Sequence, residues 1–462
     1  MKKNRFLTCV AFVLLLVICL NVIGCDEVSR KEDGREEKKT DRGPIDLMED
    51  ITSSKTEPGE DDSSKREEHD TEAHEADSSR ADEAGTELPE VELDEIVKVT
   101  DFAFDLFSAS EETGKNTLIS PLSVLCALSM TLNGAVGETR EQMESVLGMS
   151  ADELNIFIRS YVKGLPQGEK YKLALANSIW FRDDETFSVN GDFLQTNADY
   201  YGADIYKAPF DESTLNNIND WVKNETDGMI EKVLEEIPPE AIMYLINALA
   251  FDAEWMNVYY ESAVRDGKFT CEDGTVRDTQ MMHGEDGFYL EDDMATGFVK
   301  LYSGSKYAFV ALLPNEGVSV SEYVATLNGE DFQSMLDGAR SDLFLYTSMP
   351  KFTVEYDVEM SEILKGMGMV NAFDSGRADF SALGTSEMGN IFINRVIHKT
   401  FIEVGEQGTR AGAVTVVEMF PESCAPFEEV KYVYLDRPFV YMLVDWENKI
   451  PFFIGTLMDV DQ

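Results

Sequence analysis

Ten residues near the C-terminus, 406–415 (EQGTRAGAVT), limit what this chain can fold into more than any other stretch. They lie between two apolar, β-branched runs, Asn390–Val404 and Val430–Tyr434, each of which reads as a strand. At the strand period of two, Thr409, Ala411, Ala413 and Thr415 share one face, and all four are small. A strand whose inward residues are all small can slide between two existing strands without overpacking. The opposite face carries Arg410, Gly412 and Val414, which can stay outside. A Gly/Ala-rich surface loop is the plainer reading of the same ten residues.

The chain has 462 residues, enough for one large domain with a substantial core and additional segments. Acidic residues outnumber basic ones 88 to 39, a formal charge of −49. That balance argues against nucleic acid as a partner and against electrostatic docking on anionic lipid. It equally opposes a heparin-like polyanion as cofactor.

The N-terminus offers another route to a membrane. Lys2, Lys3 and Arg5 precede an apolar run over residues 6–23, which closes on Val22-Ile23-Gly24-Cys25. A basic start, an apolar centre and a small residue before the cut form a secretory signal. Cysteine directly after that small residue resembles a bacterial lipobox, so residues 1–24 are expected to be a lipoprotein signal peptide and Cys25 a lipid anchor. An uncleaved membrane anchor is the alternative, since the run is nearly long enough to span a bilayer. Either way the domain is expected outside the cytoplasm, tethered to the cell membrane or, failing the tether, secreted. Residues 25–90 are rich in Glu, Asp, Ser, Lys and Thr and poor in large apolar residues, which predicts a disordered acidic stalk. A flexible coil of this length reaches roughly 40 Å. His69 and His74 lie in it without rigid support, a poor setting for a metal. Cys9 and Cys19 fall within the leader, leaving Cys126, Cys271 and Cys424 at unrelated spacings, which is no disulfide framework.

Residues 91–462 read as one domain. Ser120-Pro121 predicts an N-cap with proline at the first helical position, opening a helix over 122–133 that is apolar nearly all round and therefore buried. Further helices are expected over 138–147, 151–163, 191–201 and 216–226. Strands are expected over 173–181, 243–253, 298–302, 307–313, 343–351, 390–404, 440–446 and 452–457. Helices first and strands later point to an α+β fold.

Motifs of catalysis are missing. The domain holds two histidines, His283 and His398, and no Gly-x-Ser-x-Gly, His-Glu-x-x-His, Cys-x-x-Cys or phosphate-binding glycine loop. An enzyme reading has nothing positive behind it, and no metal or cofactor is implied. An acidic lipoprotein binding sugars or peptides would need a pocket the sequence does not reveal.

Several separated motifs resemble the serpin family. They are Asn116-Thr-Leu-Ile-Ser-Pro-Leu-Ser-Val124, Asn133-Gly-Ala-Val-Gly-Glu-Thr139 and Asn247-Ala-Leu-Ala-Phe-Asp-Ala-Glu-Trp255. Pro350-Lys-Phe352, Leu364-Lys-Gly-Met-Gly-Met369, Ala378-Asp-Phe-Ser381, Arg437-Pro-Phe439 and Phe453-Ile-Gly455 follow in order. The likeness covers roughly residues 93–459. It implies a serpin fold: a large mixed sheet A with sheets B and C, about eight to nine helices and an exposed reactive-centre loop. It aligns Ser120, Ser123, Asn247 and His398 with the shutter beneath the centre of sheet A. Trp255, Lys351 and Glu406 align with the breach at its top. Glu406, Gly408, Thr409, Ala411, Gly412, Ala413 and Thr415 align with the hinge of an inhibitory member.

The resemblance further implies a monomeric inhibitor that traps a serine protease, with a cysteine protease as the alternative partner, in a covalent complex. The loop is cut and inserts into sheet A. In inhibitory members the reactive bond lies about sixteen residues past the hinge glutamate, which here gives Glu422-Ser423 and a protease that cuts after glutamate. Met419-Phe420 is the alternative bond and would suit chymotrypsin-like or elastase-like proteases. A non-inhibitory serpin-fold binding protein is the other functional reading. Bulky or charged inward hinge residues would favour it, and this chain has none.

Overall fold

The computed structural model describes residues 13–23, 45–47, 91–226, 228, 230, 232–285, 287–409 and 429–461. Strands β1 (Val13–Ile23) and β2 (Ile45–Asp46) come first, then helix α1 (Leu93–Ser110), β3 (Thr117–Ile119) and helices α2 (Pro121–Leu132), α3 (Gly137–Leu147) and α4 (Ala151–Gly164). β4 (Tyr171–Arg182), β5 (Phe187–Val189), α5 (Gly191–Tyr201), β6 (Asp204–Ala208), α6 (Glu212–Glu225) and β7 (Ala241–Glu254) follow. Next are β8 (Val264–Thr270), β9 (Val276–Gly284), β10 (Phe288–Glu291), β11 (Ala295–Leu301) and β12 (Tyr307–Pro314). The chain continues with α7 (Val320–Val324), α8 (Gly329–Asp337), β13 (Phe344–Pro350), β14 (Phe352–Glu359), α9 (Ser361–Met367), β15 (Gly384–Ser386), β16 (Asn390–Val404) and β17 (Gly408–Thr409). It ends with β18 (Val430–Tyr434), β19 (Phe439–Asp445) and β20 (Ile450–Leu457).

Among the described residues these elements build nine helices and four sheets, an α+β architecture. Sheet A runs β14-β16-β7-β4-β6-β2, with β1 and β17 lying one beyond the other in the gap between β16 and β7. Sheet B is the six-stranded β10-β11-β12-β19-β20-β3, sheet C is β18-β13-β9-β8, and sheet D pairs β15 with β5. The main core includes residues from sheets A and B and from helices α1 and α2. α2 is buried on every side, as its composition predicts. Its start is fixed by Ser120, whose hydroxyl accepts the Ser123 N–H at 3.3 Å, and by Pro121, which has no N–H to satisfy. A second cluster lies on the other face of sheet A, where Ile218, Trp221 and Val222 of α6 cover Trp180, Tyr244 and Ile246.

The strand expected over 343–351 stops at Pro350, which lacks the N–H a ladder needs, and a second strand begins at Phe352. β14 escapes a composition reading because charged residues alternate with its buried Phe352 and Val354. Val13–Ile23, the described part of the apolar run expected as a leader, lies in the middle of sheet A as β1. Among the described residues no helix is long and apolar enough to cross a membrane. Within the expected stalk, Ile45 and Asp46 pair with Lys207 and Tyr206 on the sheet edge, and the Leu47 N–H donates to Ile205 O at 3.0 Å. Leu47, one of the few apolar residues of that stretch, packs against the main core, whereas Ile45 stays exposed.

Candidate functional site

β7 and β16 are both antiparallel to β1 and therefore parallel to each other, with room for one strand between them. Two side-chain clusters lie along that gap.

At its upper end the chain leaves β16 and turns back through Gly405, Glu406 and Gln407. The turn closes with Gly405 N–H donating to Gly408 O at 3.1 Å. Trp255 and Tyr259 hold it from below: their N–H groups donate to Gln407 O and Glu406 O, each at 2.9 Å, and Trp255 Nε1 donates to Gly405 O at 2.8 Å. Gly408 has φ of 153°, and a Cβ there would sit 2.0 Å from Ala253 O, so only glycine lets the strand approach β7. Thr409 then pairs with Val404 on one side and Ala253 on the other. It is fully buried, its hydroxyl hydrogen-bonded to that of Tyr302. Trp255 stacks on Tyr302 with ring centroids 4.4 Å apart, and the Lys300 ammonium lies 4.5 Å from the Tyr259 ring centroid. Lys351 Nζ meets Glu406 Oε1 at 2.8 Å. Partial burial pushes the Glu406 carboxyl up, but the Lys351 hydrogen bond and charge outweigh it, and the net shift is downward.

Halfway down, the second cluster is neutral and buried. The Ser123 hydroxyl donates to Asn247 Oδ1, Asn247 Nδ2 donates to Asn177 Oδ1 at 2.8 Å, and Asn177 Nδ2 donates to Tyr201 O at 2.9 Å. His398 Nε2 accepts the Ser120 N–H at 3.2 Å. A backbone N–H can only donate, so this nitrogen carries no proton and the ring is neutral. Burial alone pushes the His398 pKa down to about 3. Ser120, Ser123, Asn177, Asn247 and His398 are all buried.

The structure thus brings together Ser120, Ser123, Asn247 and His398 in one cluster and Trp255, Lys351 and Glu406 in another, with Gly408 and Thr409 between β7 and β16. Ala411, Gly412, Ala413, Thr415, Met419, Phe420, Glu422 and Ser423 lie outside the described residues, as does Cys25. Sequence reasoning missed Asn177, Tyr259, Lys300 and Tyr302. Asn177 had a signal, a polar residue interrupting the apolar run of β4; the other three had none, because their neighbours are remote in sequence.

A sequence profile described as Serpin (serine protease inhibitor) matches residues 97–460. The chain belongs to the serpin family. Among solved structures, the thermophilic serpin tengpin in its native state is 45% identical, with 81% of this chain and 96% of that chain covered and a TM-score of 0.76. Tengpin in the latent state is 43% identical, covers 80% of this chain and 99% of that chain, and has a TM-score of 0.71. The leukocyte elastase inhibitor of Equus caballus is 28% identical over 365 residues, 74% of this chain and 93% of that protein. Serpins are protease inhibitors rather than catalysts, and their targets are serine proteases.

Proposed function

We propose that this serpin is a suicide-substrate inhibitor tethered outside the cell through lipid on Cys25. The observation that carries the reading is the position of Gly408 and Thr409, already paired into the top of a gap between two parallel strands. A protease attacks the loop beyond them and forms an acyl-enzyme. Insertion of the freed loop adds ladder hydrogen bonds on both sides and carries the protease along the sheet before water completes hydrolysis. The native state is then kinetically trapped, and its lifetime is a rate. In this reading Ser120, Ser123, Asn247 and His398 form a shutter that must part for the incoming strand. Trp255, Lys351 and Glu406 form a breach that governs where insertion starts. The reactive bond is Glu422-Ser423, which suits proteases that cut after glutamate, and the inhibitor acts as a monomer.

The test uses the chain beginning at Cys25, mixed separately with a glutamyl endopeptidase, chymotrypsin and elastase. Denaturing gels and mass spectrometry then follow the products. The expected result is a detergent-stable adduct with the first protease and release of a peptide starting at Ser423. A released peptide starting at Phe420 moves the reactive bond to Met419. Loop cleavage without an adduct from any of the three counts against inhibition of these protease classes.

A further inference from the structure

The gap in sheet A is occupied. β1 runs from Val13 opposite Phe401 to Ile23 opposite Asn390 on β16, and from Leu14 opposite Leu249 to Asn21 opposite Ala241 on β7. β17 uses the same gap further up, with Thr409 facing Val404 and Ala253. Continuing that register would bring Gly412 opposite Phe401, Ala413 opposite Leu249, and Thr415 opposite both His398 and Asn247. Val13, Leu14 and Leu16 hold those places. Ile18 and Leu20 join the main core, and Cys19 points to the other face among Trp180, Tyr244 and Trp221; all three are fully buried. β1 contains no charged residue, so no ionised side chain opposes a place in the middle of the sheet.

We propose that Val13–Ile23 is an internal ligand of the strand slot: while attached it closes sheet A to the reactive loop, and its removal arms the inhibitor. The proposal rests on the inhibitory reading above. A strand in the middle of a sheet uses the donors and acceptors of both neighbours. The loop needs those same groups on β7 and β16, so the two occupants exclude each other. A protease that cuts the loop of the unprocessed chain therefore meets a substrate. The acyl-enzyme forms, no strand site is free, and water completes hydrolysis.

Arg395 marks β1 as a stand-in. It lies opposite the neutral Cys19, and its buried Nε has no hydrogen-bond partner among the described residues. In the register set by Thr409, Glu418 of the loop would come opposite Arg395 and give that guanidinium a carboxylate. Arming is hydrolysis of the Gly24–Cys25 peptide bond by a membrane signal peptidase. One water adds across the bond, leaving a carboxylate on Gly24 and an amino group on Cys25. The freed apolar segment partitions into the bilayer, and the slot opens.

The test compares the full-length chain with the same chain starting at Cys25, against a protease that forms an adduct with the shorter one. The full-length chain should be cleaved in its loop with at least about tenfold fewer adducts per cleavage, a difference of about 1.4 kcal/mol in partition. Ile18→Asp in the full-length chain should restore adduct formation, because a carboxylate cannot stay between the strands. Leu16→Pro should do the same by removing a ladder N–H. Equal adduct yields from the two chains overturn the proposal. A second readout needs no inhibition: labelling of Cys19 by a thiol reagent, located by peptide mapping. Protection of Cys19 in the full-length chain, lost in Ile18→Asp, supports the proposal. Labelling as fast as in the unfolded chain overturns it whatever the proteases do. If neither chain forms an adduct while Cys19 is protected, the inhibitory reading falls and the arming step with it.

Discussion

Two polar clusters sit along the same pair of strands, β7 and β16, in different surroundings. The shutter around His398 and Asn247 is buried and uncharged, and its hydrogen bonds end on backbone or on one another. The breach combines a buried aromatic stack with an ion pair whose Lys351 and Glu406 side chains keep 34% and 33% of their exposure. A polar group stranded at the shutter has no water to turn to, whereas a group released at the breach does. In the inhibitory reading proposed above, the breach opens at small cost and chooses where a strand starts, and the shutter sets how hard the sheet is to part.

The sharpest way to break this contrast is to put a charge in the buried part of the upper cluster. Thr409→Arg places an unpaired guanidinium in a site that is fully buried. A penalty of about 3 kcal/mol or more should convert inhibitor to substrate and lower adduct yield about 100-fold. Gel quantification of adduct against cleaved serpin checks it, and stable complexes from this variant would contradict the insertion mechanism. Asn247→Ala tests the shutter by leaving the Ser123 hydroxyl and Asn177 Oδ1 without their partner. The expected loss is about 1–3 kcal/mol for each stranded group, read as a lower Tm and faster spontaneous loss of inhibition.

The His398 shift gives a pH signature to the same cluster. Its folded pKa is about 3 against an ordinary 6.5, so the unfolded chain binds the proton more readily between those values. The contribution of neutral His398 is complete above pH 6.5 and is lost as pH falls towards 3, at up to about 1.4 kcal/mol per pH unit. Denaturant midpoints at pH 7, 6 and 5 should fall in the parent and fall less in His398→Gln. The smallest effect belongs to the breach ion pair. Lys351→Met should change stability by less than about 1 kcal/mol while altering the rate of loop insertion. A larger loss of Tm would mean that the breach is as intolerant of change as the shutter.

Much of this arrangement was legible from residue patterns. The spacing of Thr409, Ala411, Ala413 and Thr415 pointed to a strand able to join a sheet; of the four only Thr409 is among the described residues, paired with Val404 and Ala253. Ser120-Pro121 gave the start of α2, and unbroken apolarity gave its complete burial. Short helices such as α7, and strands such as β8 with mixed burial, left no periodic trace, because a few residues of alternating exposure look like loop.

The sequence by itself determined the family, the α+β order of elements and the small inward face of the hinge, since these are local patterns of size, polarity and spacing. Tertiary structure alone decided which remote groups meet. Asn177 joins Asn247, Tyr302 receives Thr409, and Lys300 lies over Tyr259. It also decided the place of β1, whose uncharged apolar residues suit a bilayer or a slot buried on both faces equally well. Only the facing edges of β7 and β16, held apart by the width of one strand, make the second choice available.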